Sequence, residues 1–358
     1  MNGSISIIQL PCQFPCSELQ YHSENLVAPV RTDSADLDGD GILDLIISDI
    51  GILYPSNEKA GKVVVIYSSS LSNLSNNSEQ IIIDQVGRVA CSEAADLDGD
   101  SDLDLTLCEF GHTHGSVGWI ENVGNYNWNW HVLENKSGSI DAIPFDLDQD
   151  GDMDIISVIS QLSEEIIVFW NDGSGVFDSE ILYKANNTFF GMSGLNLFDI
   201  EGDGDMDILF TNGDMMDFDF PKDENFWDYH GLSLLKNDGQ GKFQYERLMK
   251  FSGAYDSALY DIDDDGIKEI VVVGFRPLMD GLVDYGSHSN LAWLDWDDNS
   301  WNAVFPLNDI DGPMISLETV DVDGDGMDEL IAANHDIFSV GNISRLISID
   351  ALKLTVCQ

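Results

Sequence analysis

Positive charge is scarce in this chain. Only 15 lysines and arginines stand against 65 aspartates and glutamates in 358 residues, a formal net charge of −50. Nucleic-acid binding depends on basic side chains neutralising phosphates, so that class of partner is excluded. Long apolar runs are missing too. No stretch approaches the roughly 18 residues of a membrane-spanning helix, so no membrane insertion is expected. Five cysteines are too few for a disulfide scaffold. Cys91 and Cys108 lie in apolar runs and read as buried thiols, whereas a local bridge between Cys12 and Cys16 stays open. No basic residue precedes Arg31, and Leu10-Pro11-Cys12 matches a lipoprotein cleavage site poorly, so no export signal is visible. Catalytic signatures such as G-x-S-x-G, H-E-x-x-H or a phosphate-binding glycine loop are lacking, as is helical periodicity.

What the chain has is a six-fold aspartate ladder, D-x-D-x-D-G-x-x-[DE], starting at Asp36, Asp96, Asp146, Asp199, Asp261 and Asp321. Alternate carboxylates on a tight turn can converge on one hard, oxygen-seeking cation such as Ca²⁺. The ligand positions are Asp36, Asp38, Asp40 and Asp44; Asp96, Asp98, Asp100 and Asp104; Asp146, Asp148, Asp150 and Asp154. They continue with Asp199, Glu201, Asp203 and Asp207; Asp261, Asp263, Asp265 and Glu269; Asp321, Asp323, Asp325 and Glu329. The seventh residue (Ile42, Asp102, Asp152, Asp205, Ile267 or Met327) would add its backbone carbonyl. An EF-hand is excluded, because it needs a bidentate Glu at position 12 and flanking helices; position 12 here is Ile47, Leu107, Ser157, Phe210, Val272 and Ala332. The alternative is an Asp/Gly-rich hairpin loop without metal. Four unneutralised carboxylates within a few ångströms repel strongly, which favours about six Ca²⁺ ions. Departures are few: Ser101 replaces the glycine of the second copy, Glu201 the third-position aspartate of the fourth, and Gln149 and Asp264 fill position four. The Ser101 loop is expected to be the most strained and the weakest.

Successive ladders start 60, 50, 53, 62 and 60 residues apart. Each lies between two β-type runs, and a third and a fourth run follow, some joined by turns such as Asn171-Asp172-Gly173-Ser174-Gly175. Four antiparallel strands per period describe a blade, so the fold class is all-β, a single β-propeller over residues 1–358. Residues 1–30 carry strands that either close the sixth blade or belong to an incomplete seventh, and the seven-bladed plan is slightly favoured.

The ladder followed by an apolar strand, with N-D-G-x-G-x-F turns between, resembles the FG-GAP/VCBS repeats of integrin-α-type β-propellers over about residues 20–340. Residues 35–51, 87–104 and 198–214 are similar to bacterial VCBS-repeat proteins, some of which are fused to cytochrome c modules. The resemblance implies a calcium-binding propeller. With no C-x-x-C-H haem motif, any redox role belongs to a fused or partner domain.

In such a blade the ladders and N-D-G turns share one face, and the second-to-third connections lie opposite. Those opposite loops and strand ends carry the ligand-face candidates Asp49, Glu109, His112, His114, Asn212, Trp227, His230, Arg276, Asn334 and His335. Asp33, Glu93, Asn196 and Glu318, three residues before their ladders, mark an acidic channel mouth on the innermost strands. The expected function is non-catalytic recognition or adhesion to a glycan or surface protein. The location expected is extracellular, cell-surface or periplasmic, where calcium fills weak sites. The alternatives are a polysaccharide lyase or hydrolase, or a docking domain for a redox partner.

Overall fold

The computed structural model describes residues 4–8, 18–23, 25–68, 78–214, 228–239, 241–263, 265–275, 290–297, 300–306, 314–321, 327–336 and 343–348. These residues form antiparallel β-sheets with no α-helix among them, in two compact units that meet in sequence between Thr188 and Phe189.

In the first unit, β1 (Ser4–Ile8) pairs with β2 (Glu18–His22). The first blade follows as β3 (Pro29–Ala35), β4 (Asp44–Asp49), β5 (Gly61–Tyr67) and β6 (Ser78–Val86), paired in that order. The second has an inner strand broken into β7 (Val89–Cys91) and β8 (Ala94–Ala95), then β9 (Asp104–Glu109), β10 (Ser116–Asn122) and β11 (Trp128–Glu134). The break has a local cause: the Glu93 amide donates to Thr106 Oγ1 at 3.0 Å instead of to a backbone carbonyl. The third blade is β12 (Ser139–Phe145), β13 (Asp154–Ser160), β14 (Glu164–Asn171) and β15 (Phe177–Lys184).

The second unit repeats the plan. Its blades are β16 (Met192–Phe198), β17 (Asp207–Asn212), β18 (Gly231–Asn237) and β19 (Phe243–Lys250), then β20 (Ala254–Tyr260), β21 (Glu269–Gly274), β22 (Leu291–Asp297) and β23 (Ser300–Val304). A third sheet holds β24 (Met314–Val320), β25 (Glu329–Asp336) and β26 (Ile343–Ser348).

The middle strands are apolar at consecutive positions because blades stack on both of their faces. Alternate side chains of a strand point to opposite sides. Val63 and Val65 pack with Leu105, Leu107 and Ile120 of the second blade, while Val64 and Ile66 pack with Leu26. In the second unit, Ile270 and Val272 join Leu232 and Leu234, whereas Val271 and Val273 join Met314 and Leu330. The inner strand β3 instead alternates half-buried and exposed residues. The propeller-type blade expected from the spacing is the one observed.

Every first-to-second strand pairing is interrupted by a β-bulge at one place. It falls between Pro29 and Arg31, Val89 and Cys91, Ser139 and Asp141, Met192 and Gly194, Ala254 and Asp256, and Met314 and Ser316. A bulge bends the strand and re-aims the side chain beside it. One cysteine expectation is corrected here. Cys91 and Cys108 are cross-strand partners with Cα atoms 5.0 Å apart, and they form a disulfide. Cys12, Cys16 and Cys357 lie outside the described residues.

Candidate functional site

Each ladder is the hairpin between the first two strands of its blade, its ninth residue opening the second strand: Ala35 pairs with Asp44, Phe145 with Asp154, Phe198 with Asp207. In the first and fifth ladders the first carboxylate accepts the amides of residues five and six, Asp36 from Asp40 and Gly41 at 3.0 and 2.9 Å and Asp261 from Asp265 and Gly266 at 3.0 and 2.8 Å. Asp96 instead accepts those of Gly99 and Ser101 at 2.8 and 3.1 Å. Positions four and six take left-handed backbone. Ser101 (φ 77°) and Gln149 (φ 61°) do so without glycine's freedom, so the strain expected at Ser101 is present.

The ninth carboxylate does a second job that the pattern did not announce. One oxygen accepts the amide of ladder residue two, and the other accepts the amide that opens the turn between the third and fourth strands. Asp104 receives Leu97 and Asn122 at 2.9 and 2.8 Å, Asp154 receives Leu147 and Asn171 at 3.1 and 2.9 Å, and Asp207 receives Ile200 and Asn237 at 3.2 and 2.8 Å. The ladders and the N-D-G turns therefore do share one end of the blade.

Among the described residues, carboxylate oxygens come within 4.8 Å of one another in four ladders: Asp36, Asp38 and Asp40; Asp96, Asp98 and Asp104; Asp146, Asp148 and Asp154; Asp261, Asp263 and Asp265. Burial, aided by the neighbouring carboxylates, pushes Asp104 up to about 7, Asp154 to about 6 and Glu269 to about 7. Oδ1 of Asp146 is buried and accepts no hydrogen bond among the described residues. An all-oxygen set with an orphaned anionic atom fits a hard divalent cation. The fourth ladder differs, because Glu201 forms an ion pair with Lys236 of its own blade. In the sixth, Asp323 and Asp325 lie outside the described residues.

The ligand-face candidates do not meet. Asp49 is fully buried and caps the amides of Val27, Ala28 and Gly51. Glu109 accepts from Gly87 and Ser116, and Asn212 donates to the carbonyls of Phe190 and Tyr229. His230 accepts the Gly253 amide at Nδ1, and burial pushes its imidazole down to about 3, so it is neutral and structural. His112 and His114 belong to no cluster of metal-ligating side chains among the described residues. Trp227 and Arg276, with the side chains of Asn334 and His335, lie outside them.

The inner strands do bring chemistry together, through residues beside the bulges. Arg31 of β3 reaches Glu93, in the break between β7 and β8, at 2.9 Å and Asp141 of β12 at 2.7 Å, so one guanidinium spans three blades. Asp33 accepts the Ala94 amide at 3.0 Å. In the second unit Asn196 donates to Asp256 Oδ1 at 3.2 Å, and Asp256 Oδ2 accepts the Leu317 amide at 2.8 Å. Sequence reasoning found Asp33, Glu93 and Asn196 but missed Arg31, Asp141 and Asp256. These stand two residues further from the ladder, on the same strand face, and period two would have exposed them.

An FG-GAP-like repeat matches residues 146–210, the third ladder through the fourth. No curated protein matches the chain. Among solved structures, a GH93 α-L-arabinofuranosidase of Fusarium graminearum in complex with arabinobiose aligns over 98% of both chains at 10% identity, with a TM-score of 0.51. The α-L-arabinofuranosidase of Lactobacillus brevis covers 77% of this chain and 93% of its own at 10% identity and TM-score 0.41. The Bacillus licheniformis rhamnogalacturonan lyase PL11 covers 85% of this chain and 55% of its own at 13% identity and TM-score 0.44. At such identity the likeness speaks for the fold. The expectation of a propeller without chemistry is corrected, since the structure aligned over 98% of both chains is that of a glycosidase.

Proposed function

We propose that this chain is a calcium-stapled β-propeller that hydrolyses a neutral polysaccharide at the inner strands of its first three blades. The observation that carries the reading is Arg31 holding Glu93 and Asp141 from two other blades. Glycoside hydrolysis uses a pair of carboxyl groups, one protonating the leaving oxygen and one acting as base or nucleophile. Asp141, with a side chain 8% exposed and tied to Arg31 at 2.7 Å, is placed as the base or nucleophile. Glu93, 21% exposed and held by the same guanidinium at 2.9 Å, would then be the second carboxyl of the pair. A net charge of −50 repels polyuronates and favours a neutral chain.

Calcium would be held by the first, third and fifth carboxylates in the first and fifth ladders and by the first, third and ninth in the second and third, and would pin the inner hairpins. The bacterial VCBS type remains the family reading, supported by the single repeat match. An oxidising, calcium-rich location outside the cytosol agrees with the Cys91–Cys108 disulfide.

The test is release of reducing sugar from arabinan, arabinoxylan and other neutral cell-wall polysaccharides, in saturating Ca²⁺. The wild type should act on one, and Asp141→Asn and Glu93→Gln should each lose at least a hundredfold with melting temperature kept, on the order expected for an acid or base. No product from the wild type, or full activity in Asp141→Asn, would overturn the assignment.

A further inference from the structure

The ladder end of the first two blades holds a cavity of about 360 Å³. That is at the small end of ligand pockets, which run about 300–1,000 Å³. Its walls combine three aromatic rings, Tyr67, Tyr126 and Trp128, with the carboxylates of Asp36, Asp38 and Asp102, and among the described residues no lysine or arginine lines it.

Two observations set this place apart from the other ladders. The first is Tyr126. The turn from Gly124 to Asn127 closes with an Asn127 amide to Gly124 carbonyl bond of 3.2 Å, and its central residues Asn125 and Tyr126 both have positive φ, 54° and 59°. Asparagine suits the first central position of such a turn, and glycine the second. A bulky aromatic there is strained, and strain of this kind gathers at functional sites. The third blade shows the unstrained solution. Its turn has the same length between paired ends, Asn171 with Phe177 against Asn122 with Trp128, and carries Gly175 where the second blade carries Tyr126. A Cβ on Gly175 would stand 2.9 Å from the Trp119 ring and 3.2 Å from Asp98, so that junction is filled. At the first junction Tyr126 is 57% exposed, meets Tyr67 edge-to-face at 5.0 Å and is anchored by Gln80 donating to its carbonyl at 2.9 Å.

The second observation is Asp102. It holds the seventh ladder position, where a metal takes the backbone carbonyl and not the side chain. Its Oδ1 is buried and accepts no hydrogen bond among the described residues. A buried carboxylate oxygen lacking a donor, beside aromatic faces and with no basic residue in the wall, is complementary to a cation that also donates hydrogen bonds.

We propose that this cavity binds a primary ammonium group, with Asp102 accepting its hydrogen bond and Tyr126 presenting a ring face. A ligand without a hydrogen-bond donor would leave the Asp102 Oδ1 unsatisfied. A quaternary ammonium could not supply the hydrogen bond. The site is separate from the Arg31 cluster and does not depend on the glycan-hydrolase reading.

The experiment is calorimetric titration of the full chain in saturating Ca²⁺ at constant ionic strength. The probes are glucosamine, Nα-acetyl-lysine amide, N-acetylglucosamine and tetramethylammonium. The two primary ammonium probes should bind about tenfold more tightly than N-acetylglucosamine or tetramethylammonium. Whichever of the two binds better names the carrier, an amino sugar or a lysine side chain. Tyr126→Gly places glycine at a φ of 59°, so it should melt no lower than wild type while losing about tenfold in affinity. Asp102→Asn should lose a similar factor. Equal binding of N-acetylglucosamine, unchanged affinity in Tyr126→Gly, or no saturable binding of either ammonium probe would each overturn the proposal.

Discussion

The inner strands of the first three blades and of the last three solve one electrostatic problem in two ways. In the first unit a guanidinium compensates the carboxylates, Arg31 facing Glu93 and Asp141. In the second unit Asp256 is held by the amides of Leu317, Ser257 and Asn196. Amide dipoles compensate less than a full charge, and burial pushes Asp256 up to about 6. Among the ladders the fourth stands apart: the three of the first unit and the fifth gather carboxylates, while the fourth gives Glu201 to Lys236. A shared backbone plan thus supports an ion-paired centre in one unit and an amide-held, proton-sensitive one in the other.

The largest effect that can break this contrast is metal removal. A cation binding only the folded state adds about 2.7 kcal/mol per site at a hundredfold excess over Kd. Thermal scans in Ca²⁺ and in EGTA at equal ionic strength should differ markedly, and coincident curves would remove calcium from the account. Hydrogen exchange should locate the loss in the first three ladders more than in the fourth. Asp148→Ala should reproduce part of it, whereas Glu201→Ala should not.

Arg31→Met comes next. It strands Glu93 and Asp141, and the cost should be about 1–3 kcal/mol by denaturant titration, with loss of the proposed hydrolysis. The double variant Arg31→Met with Asp141→Asn should recover stability and not activity, because the buried charge has gone with its partner.

Asp256 sharpens the other side. Its folded value lies above its unfolded one, so the stability it adds is complete below about pH 4 and is lost as pH rises through about 6. Compared with Asp256→Asn in saturating Ca²⁺, the wild type should lose on the order of 1–2 kcal/mol between pH 4 and pH 7. A constant difference would show that the amides hold the ionised form well enough.

Ser101→Gly is the smallest change. It relieves a φ of 77° on an exposed ladder and should raise stability by about 0.5–1 kcal/mol, read as a small rise in melting temperature.

The blades were legible in the sequence because period-two runs and recurring turns are local signals. Val63 to Ile66 could only be a strand covered on both sides. The ladders were legible for the same reason, since their geometry is contained in nine residues. The disulfide was not, because Cys91 and Cys108 meet through a strand pairing that spacing does not display. Neither was the double duty of the ninth carboxylate, as its partner amides at Asn122 and Asn171 are 18 and 17 residues away. The opposite-face candidates misled for a physical reason. Polar residues at strand ends often cap loop amides, as Asp49 and Asn212 do here, and such residues look like ligands in a one-dimensional reading. Arg31 stayed hidden because its worth depends on two other blades.

The repeated bulge makes the residue just behind it an interchangeable part. The six first-to-second strand pairings hold Arg31, Cys91, Asp141, Gly194, Asp256 and Ser316 there. The backbone sets the aim and the side chain sets the chemistry, so this position can vary without renegotiating the blade. The freedom is uneven. At Gly194 a Cβ would stand 2.7 Å from the Tyr255 carbonyl oxygen, which closes that slot to any larger residue. Ser316 already carries a side chain in its slot, which makes it the natural place to graft a new functional group onto this scaffold, and the route by which a duplicated blade could acquire a new chemistry one substitution at a time.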